Sequence, residues 1–186
     1  ITRHLQEGAN SLALRVYRWS DGSYLEDQDH WRLSGIYRDV YLWTPPDTHI
    51  RDFRVRTPLD VAYRDATLDL LAWVGNAGET EAARTLEVQL LNPTGETTFT
   101  ERIEGMHLAP GEEREVSLQR EVVAPRKWNA EEPNLYTLLL TLYDEAGEIV
   151  EVQSTRVGFR QVDIRDGKIL VNGVPIVFRG VNRHEH

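Results

Sequence analysis

The 186-residue chain contains no cysteine, which excludes disulfides, thiolate catalysis and cysteine-bound zinc together. No apolar run approaches the ~20 residues of a membrane-spanning helix, so no membrane association is expected. Cations are the minority charge, 21 Lys and Arg against 30 Asp and Glu for a formal net charge of -9. A nucleic-acid partner, which needs clustered Lys and Arg to meet phosphates, is therefore not expected. Serine and phosphate chemistry lack their motifs, since neither a Gly-x-Ser-x-Gly elbow nor a Gly-x-x-x-x-Gly-Lys loop occurs. The absence of cysteine is compatible with a cytoplasmic location, which is preferred over a secreted one. No signal peptide stands at Ile1, and Ile1 does not read as a natural start.

What is present reads almost entirely as β-strand. Ser11–Arg18 alternates, with Leu12, Leu14 and Val16 on one face. Ile36–Trp43 is aromatic and β-branched and stops at Pro45-Pro46, where a domain boundary is placed. Short strands follow near Ile50–Thr57, Ala66–Val74, Leu86–Leu91, Thr97–Glu104, Glu113–Glu121, Leu135–Tyr143 and Ile149–Phe159. Gly75-Asn-Ala-Gly78, Asn92-Pro-Thr-Gly95, Ala109-Pro-Gly111 and Glu145-Ala-Gly147 supply turn chemistry between them. That spacing predicts an all-β, immunoglobulin-like β-sandwich. Near the end, Asn172-Gly173 predicts a type I′ hairpin. The strand beyond it runs into polar, ionisable residues, as an α/β-barrel strand does at its active-site face. One strand makes no barrel, so the remainder is expected to lie outside this chain.

Three clusters could carry chemistry. The first, Asp21 to Trp31, gathers Asp21, Glu26, Asp27 and Asp29 beside an aromatic face. Such oxygen donors suit a hard cation or a polyhydroxylated ligand, but an acidic loop is also an ordinary solvated surface. In the second, Trp31 to Val40, Gly35 allows a backbone state closed to other residues, next to the Arg38-Asp39 charge pair. It serves equally as the turn that feeds the following strand. The third is Asn182-Arg-His-Glu-His186, where strand alternation sends Asn182, His184 and His186 one way and Glu185 the other. Two imidazoles so placed can reach one ligand, a metal or an array of sugar hydroxyls, or can be satisfied structural histidines.

In order, Asp21–Val40, Trp128-Asn-Ala-Glu-Glu-Pro-Asn-Leu-Tyr136, Val157-Gly-Phe-Arg160 and Arg179-Gly-Val-Asn-Arg-His-Glu-His186 resemble bacterial β-galactosidases of glycoside hydrolase family 2 along the whole chain. The resemblance implies the end of a jelly-roll sugar-binding domain over 1–46 and an immunoglobulin-like domain over 47–160. Over 161–186 it implies the hairpin and first strand of a truncated (β/α)₈ barrel. It implies that Asp29 contacts galactose and a sodium ion, and that Asp21 helps hold a structural magnesium. It places His184 and His186 in the sugar pocket, with His184 bonded to galactosyl hydroxyls. His186 stands where related β-glucuronidases carry an aspartate, which favours a galactosidase.

The reaction implied is retaining hydrolysis of terminal β-galactosides such as lactose, through two glutamates on later barrel strands that are not in this chain. The isolated chain is thus expected to be inactive, to bind neither ion tightly, and to self-associate through exposed strand edges, from a parent that is itself a homo-oligomer. Two other readings remain at this point: a non-catalytic carbohydrate-binding or spacer module, and a metal-dependent hydrolase built on His184 and His186.

Overall fold

A computed structural model of the chain describes residues 1, 4–25 and 35–182. The chain divides into two compact units, Thr44–Phe178 and the pair of segments Ile1–Trp43 and Arg179–His186. The described residues of the second unit contain one short helix, α1 (Gly22–Leu25), and no strand. The strands expected over 11–18 and 36–43 are therefore not formed. Leu12, Leu14 and Val16 are about half exposed, and Tyr37, Tyr41 and Trp43 more so. Alternation gives a segment an apolar face, but a ladder needs a neighbouring strand, and none pairs with these segments among the described residues.

The larger unit is built from β1 (Thr48–Arg56), β2 (Ala66–Asn76), β3 (Ala82–Leu91), β4 (Thr97–Leu108), β5 (Glu113–Val122), β6 (Tyr136–Tyr143) and β7 (Ile149–Val157). All pairings are antiparallel, in two sheets ordered β1-β2-β5 and β4-β3-β6-β7. This is an immunoglobulin-like sandwich in which the fourth strand pairs with the third rather than joining the first sheet. The core forms where period-2 alternation turns one face of each sheet inward. Leu68, Leu70, Ala72 and Val74 of β2 face Leu86, Val88 and Leu90 of β3 and Leu138, Leu140 and Leu142 of β6, all essentially inaccessible to solvent.

Three of the expected turns are where they were placed, with Gly95, Gly111 and Gly147 at φ 89°, 74° and 82°. The fourth, expected over 75–78, begins later, because Gly75 and Asn76 are the last residues of β2. β4 runs four residues further than its alternation predicts. Gly105 takes φ 71°, and the β3–β4 register slips between Arg84/Met106 and Leu86/Ile103, so a bulge carries the ladder past the break. β7 ends at Val157 rather than Phe159, and Gly158 begins the departure from the ladder.

A third, small sheet follows in the same unit: β8 (Val162–Arg165), β9 (Lys168–Val171) and β10 (Val174–Pro175), ordered β10-β9-β8. Asn172 and Gly173 have φ 51° and 79°, the paired positive values of a type I′ turn. Asp166 and Gly167, at 51° and 70°, make the same turn between β8 and β9. Residues 176–182 form no strand, so the barrel strand expected there is not formed among the described residues. No helix among those residues is long and apolar enough to cross a membrane.

Candidate functional site

Of the residues singled out for sugar or metal contact, Asp29, His184 and His186 lie outside the described residues, as do Glu26, Asp27, Trp31 and Glu185. Asp21 is described. It sits exposed in the turn ahead of α1, and its carbonyl accepts a 3.1 Å hydrogen bond from the Tyr24 amide. Its carboxylate is a hard oxygen donor of the kind magnesium takes. No group of three or more His, Asp or Glu gathers into a metal site among the described residues. Arg38 does not pair with Asp39; its guanidinium lies 5.4 Å from the ring centre of Tyr37.

The other two motifs of the resemblance do come together. The connection between β5 and β6 is folded on itself by Asn129, whose Oδ1 accepts from the amides of Glu131 and Glu132 at 2.9 and 2.7 Å. Asn134 Nδ2 closes it by donating to the Lys127 carbonyl at 3.1 Å. Tyr136, the first residue of β6, accepts from the Arg126 amide at 3.0 Å, the corner bond typical of this sandwich. Phe159 packs edge-on against the Tyr136 ring, 4.8 Å between centroids. The Trp128 amide donates to the Phe159 carbonyl at 3.0 Å, and Arg160 stacks over the Trp128 ring at 4.6 Å. Gly158 has a packing reason for lacking a side chain, because a Cβ there would stand 3.2 Å from the Trp128 Cβ.

This junction continues into the small sheet. Asn172 Nδ2 donates to the Trp128 carbonyl at 3.0 Å, and Asn172 Oδ1 accepts from the Gln161 amide at 3.0 Å. On the other side, Tyr63 in the β1–β2 loop donates its hydroxyl to Asp163 Oδ2 at 2.8 Å and accepts from Arg165 at 2.5 Å. Sequence reasoning missed Tyr63. The usable signal was an aromatic residue inside Asp60–Asp65, a loop closed by Asp60 Oδ1 accepting from the Arg64 amide.

The Tyr63–Asp163 pair titrates at both ends of the pH scale. The Tyr63 hydroxyl, then Gln161, holds the Asp163 carboxyl below its ordinary 3.8. The hydrogen bond to Asp163, then burial, raises the Tyr63 phenol above its ordinary 10.0. A depressed carboxyl stabilises fully above its unfolded value and loses that contribution as pH falls through the lower folded value. A raised phenol contributes fully below its unfolded value and loses it as pH rises through the higher folded value. The packing of β8 on the β1–β2 loop should thus be level between 3.8 and 10.0 and weaken beyond each end. NMR shifts of the Tyr63 ring and Ile164 methyl across that range test this. In Tyr63→Phe the alkaline limb should vanish and the acid limb shrink, because Gln161 and Arg165 still act on the Asp163 carboxyl.

Two surface clefts mark the larger unit. One, of about 670 Å³, is lined by the β5–β6 connection, with Glu132 as its carboxylate; the other, of about 470 Å³, lies between Phe53, Val55, Trp128 and Arg156. Neither of these two brings together the pair of carboxylates that retaining hydrolysis uses.

Comparison with known proteins places this architecture. The sequence profile of glycosyl hydrolases family 2 matches residues 48–160. The sugar binding domain of that family matches 1–46, and its TIM barrel domain matches 162–186. A β-galactosidase of Priestia megaterium is 48% identical over 186 residues, 100% of this chain and 18% of that protein. A β-galactosidase of Aeromonas hydrophila is 46% identical over 192 residues, with the same coverage of each. The crystal structure of a Bacteroides uniformis β-glucuronidase superposes with TM-score 0.74 at 28% identity, covering 81% of this chain and 19% of that one. The chain thus spans about a fifth of the length of these relatives.

Proposed function

The chain belongs to the family 2 glycosyl hydrolases, and from that premise we propose that it is the part of a retaining β-galactosidase that supports the sugar pocket without supplying the catalytic carboxylates. The observation that carries this reading is identity of 48% and 46% to two β-galactosidases over the whole chain. The substrates are terminal β-galactosides such as lactose. Hydrolysis with retention needs a nucleophile and an acid/base carboxylate roughly 5–5.5 Å apart, and in this reading both glutamates stand on barrel strands outside these residues.

This chain's own residues bind and orient. Asp29 and His184 accept or donate hydrogen bonds to galactosyl hydroxyls, and His186 completes that wall of the pocket. Asp29 would also hold sodium and Asp21 magnesium. Each ion would supply fixed positive charge to its carboxylate ligands. Residues 1–46 form the end of the sugar-binding domain, 47–160 the sandwich and 161–186 the entry to the barrel, a division supported by the three matched segments. The same reading has the isolated chain self-associate through exposed strand edges.

The test uses a chromogenic β-galactoside. The purified 186-residue chain should release no product above a blank, whereas a longer protein that continues through the barrel should turn over. In that protein, His184→Ala should lower kcat/KM about tenfold or more, the loss of a substrate hydrogen bond. Turnover by the 186-residue chain, or an unchanged His184→Ala enzyme, would overturn the assignment.

A further inference from the structure

Among the described residues, four other than glycine have positive φ: Tyr63 at 53°, Ala124 at 44°, Asp166 at 51° and Asn172 at 51°. None lies within a strand. They fall in the β1–β2 loop, the β5–β6 connection and the two turns of the small sheet. Asp166 and Asn172 are accounted for by their type I′ turns, which favour such residues. Tyr63 and Ala124 are not, and a bulky residue persists in the left-handed region only where its surroundings hold it there.

The surroundings of Tyr63 are the small sheet. Its ring lies against Gly173 so closely that a Cβ at that glycine would sit 2.6 Å from Cε2. Its hydroxyl joins Asp163 of β8 and Arg165 of the same strand. From the small sheet, Asn172 reaches the other loop, donating to the Trp128 carbonyl of the β5–β6 connection. The two gripping loops are themselves tied, because the Ala124 amide donates to Asp65 Oδ1 at 2.9 Å.

The sheet needs this grip. Its strands are four, four and two residues long, and of its residues only Leu170 is buried. Val162, Ile164 and Val174 are 56%, 75% and 64% exposed. A ribbon with so little apolar burial is marginal alone, so its place on the sandwich is set by side-chain bonds rather than by a core.

We propose that Tyr63 and Asn172 are positioning residues that lock the β8–β10 sheet to the sandwich. They act through the backbone of that sheet, which in sequence leads on towards His184. The inference rests on the glycosidase reading only for what is being positioned, and the lock itself stands on the contacts described.

Asn172→Gly is a clean probe, since glycine keeps the positive φ of the turn while deleting both side-chain hydrogen bonds. Tyr63→Phe removes the hydroxyl and keeps the ring. Asp166→Gly, in the equivalent turn of the same sheet, is the control. In the 186-residue chain, amides of β8 and β9 should exchange about tenfold faster in Asn172→Gly, the effect of two lost hydrogen bonds. They should stay within about twofold of wild type in Asp166→Gly, with β2 and β6 unchanged in every variant.

In a longer protein that hydrolyses a chromogenic β-galactoside, Asn172→Gly and Tyr63→Phe should raise KM. A role confined to folding would instead lower the active fraction, and so kcat, at fixed KM. Wild-type exchange in both variants would overturn the proposal, as would a loosened sheet with unchanged KM. If Asn172→Gly does not fold, Tyr63→Phe decides. If the longer wild-type protein fails to hydrolyse galactosides, the functional reading falls while the exchange result still decides the lock.

Discussion

Phe159→Ala is expected to destabilise the sandwich unit by about 3–5 kcal/mol, the range for deleting a fully buried aromatic ring. The ring is wholly inaccessible to solvent and stands edge-on to Tyr136 at an interplanar angle of 83°, an arrangement that adds to simple burial. What places the cost at the upper end is that the cavity cannot close. Tyr136 is pinned by the Arg126 amide, and the Phe159 backbone is pinned by Trp128. Both walls are held by hydrogen bonds that would have to break for the site to collapse. Urea denaturation followed by tryptophan fluorescence measures the effect. Phe159→Leu, which refills most of the volume, should lose roughly half as much or less. A loss for Phe159→Ala below about 1 kcal/mol would show that the walls do move inward.

How much of this was legible beforehand depends on whether the signal is local. The seven sandwich strands could be read because alternation along segments such as Ala66–Val74 matches the strict inward and outward burial of β2, and because Asn92-Pro-Thr-Gly95, Ala109-Pro-Gly111 and Glu145-Ala-Gly147 carry turn residues between them. Alternation at 11–18 is as regular, yet no strand forms there among the described residues. A strand is completed by its neighbour, and nothing in its own residues says whether one is at hand. Gly105 reads as a stop but acts as a bulge, since whether a ladder ends or slips is settled by the partner strand.

At the candidate site, Asp21 is described and exposed, and Asp29, His184 and His186 lie outside the described residues. The 128–136 and 157–160 motifs were visible as a pattern without a role. Their role is to meet, and that convergence joins residues about thirty positions apart. Tyr63 was invisible because Val61-Ala-Tyr63-Arg reads as an ordinary loop, and its importance comes from a sheet some hundred residues later.

The second large effect sets two glycines against each other. Gly167 and Gly173 occupy the same position in two type I′ turns of one small sheet, at φ 70° and 79°. Gly167→Ala should cost about 1 kcal/mol, the ordinary penalty for an L-residue in that region, because no heavy atom lies within 4 Å of where its Cβ would go. Gly173→Ala pays the same backbone penalty and in addition drives a methyl into the Tyr63 ring, with three ring atoms within 3.1 Å. The ring cannot simply rotate away without leaving Asp163 and Arg165. The steric term should add about 1–3 kcal/mol, so the sheet should detach in Gly173→Ala and persist in Gly167→Ala. Amide exchange of β8 and β9 reads the difference directly. The origin of that difference is tested by removing the ring. In a Tyr63→Ala background, where both forms start from a loosened sheet, Gly173→Ala should cost no more than Gly167→Ala. If the extra cost survives there, the contact with Tyr63 is not its source, and the close approach at Gly173 would have to be explained by the turn alone.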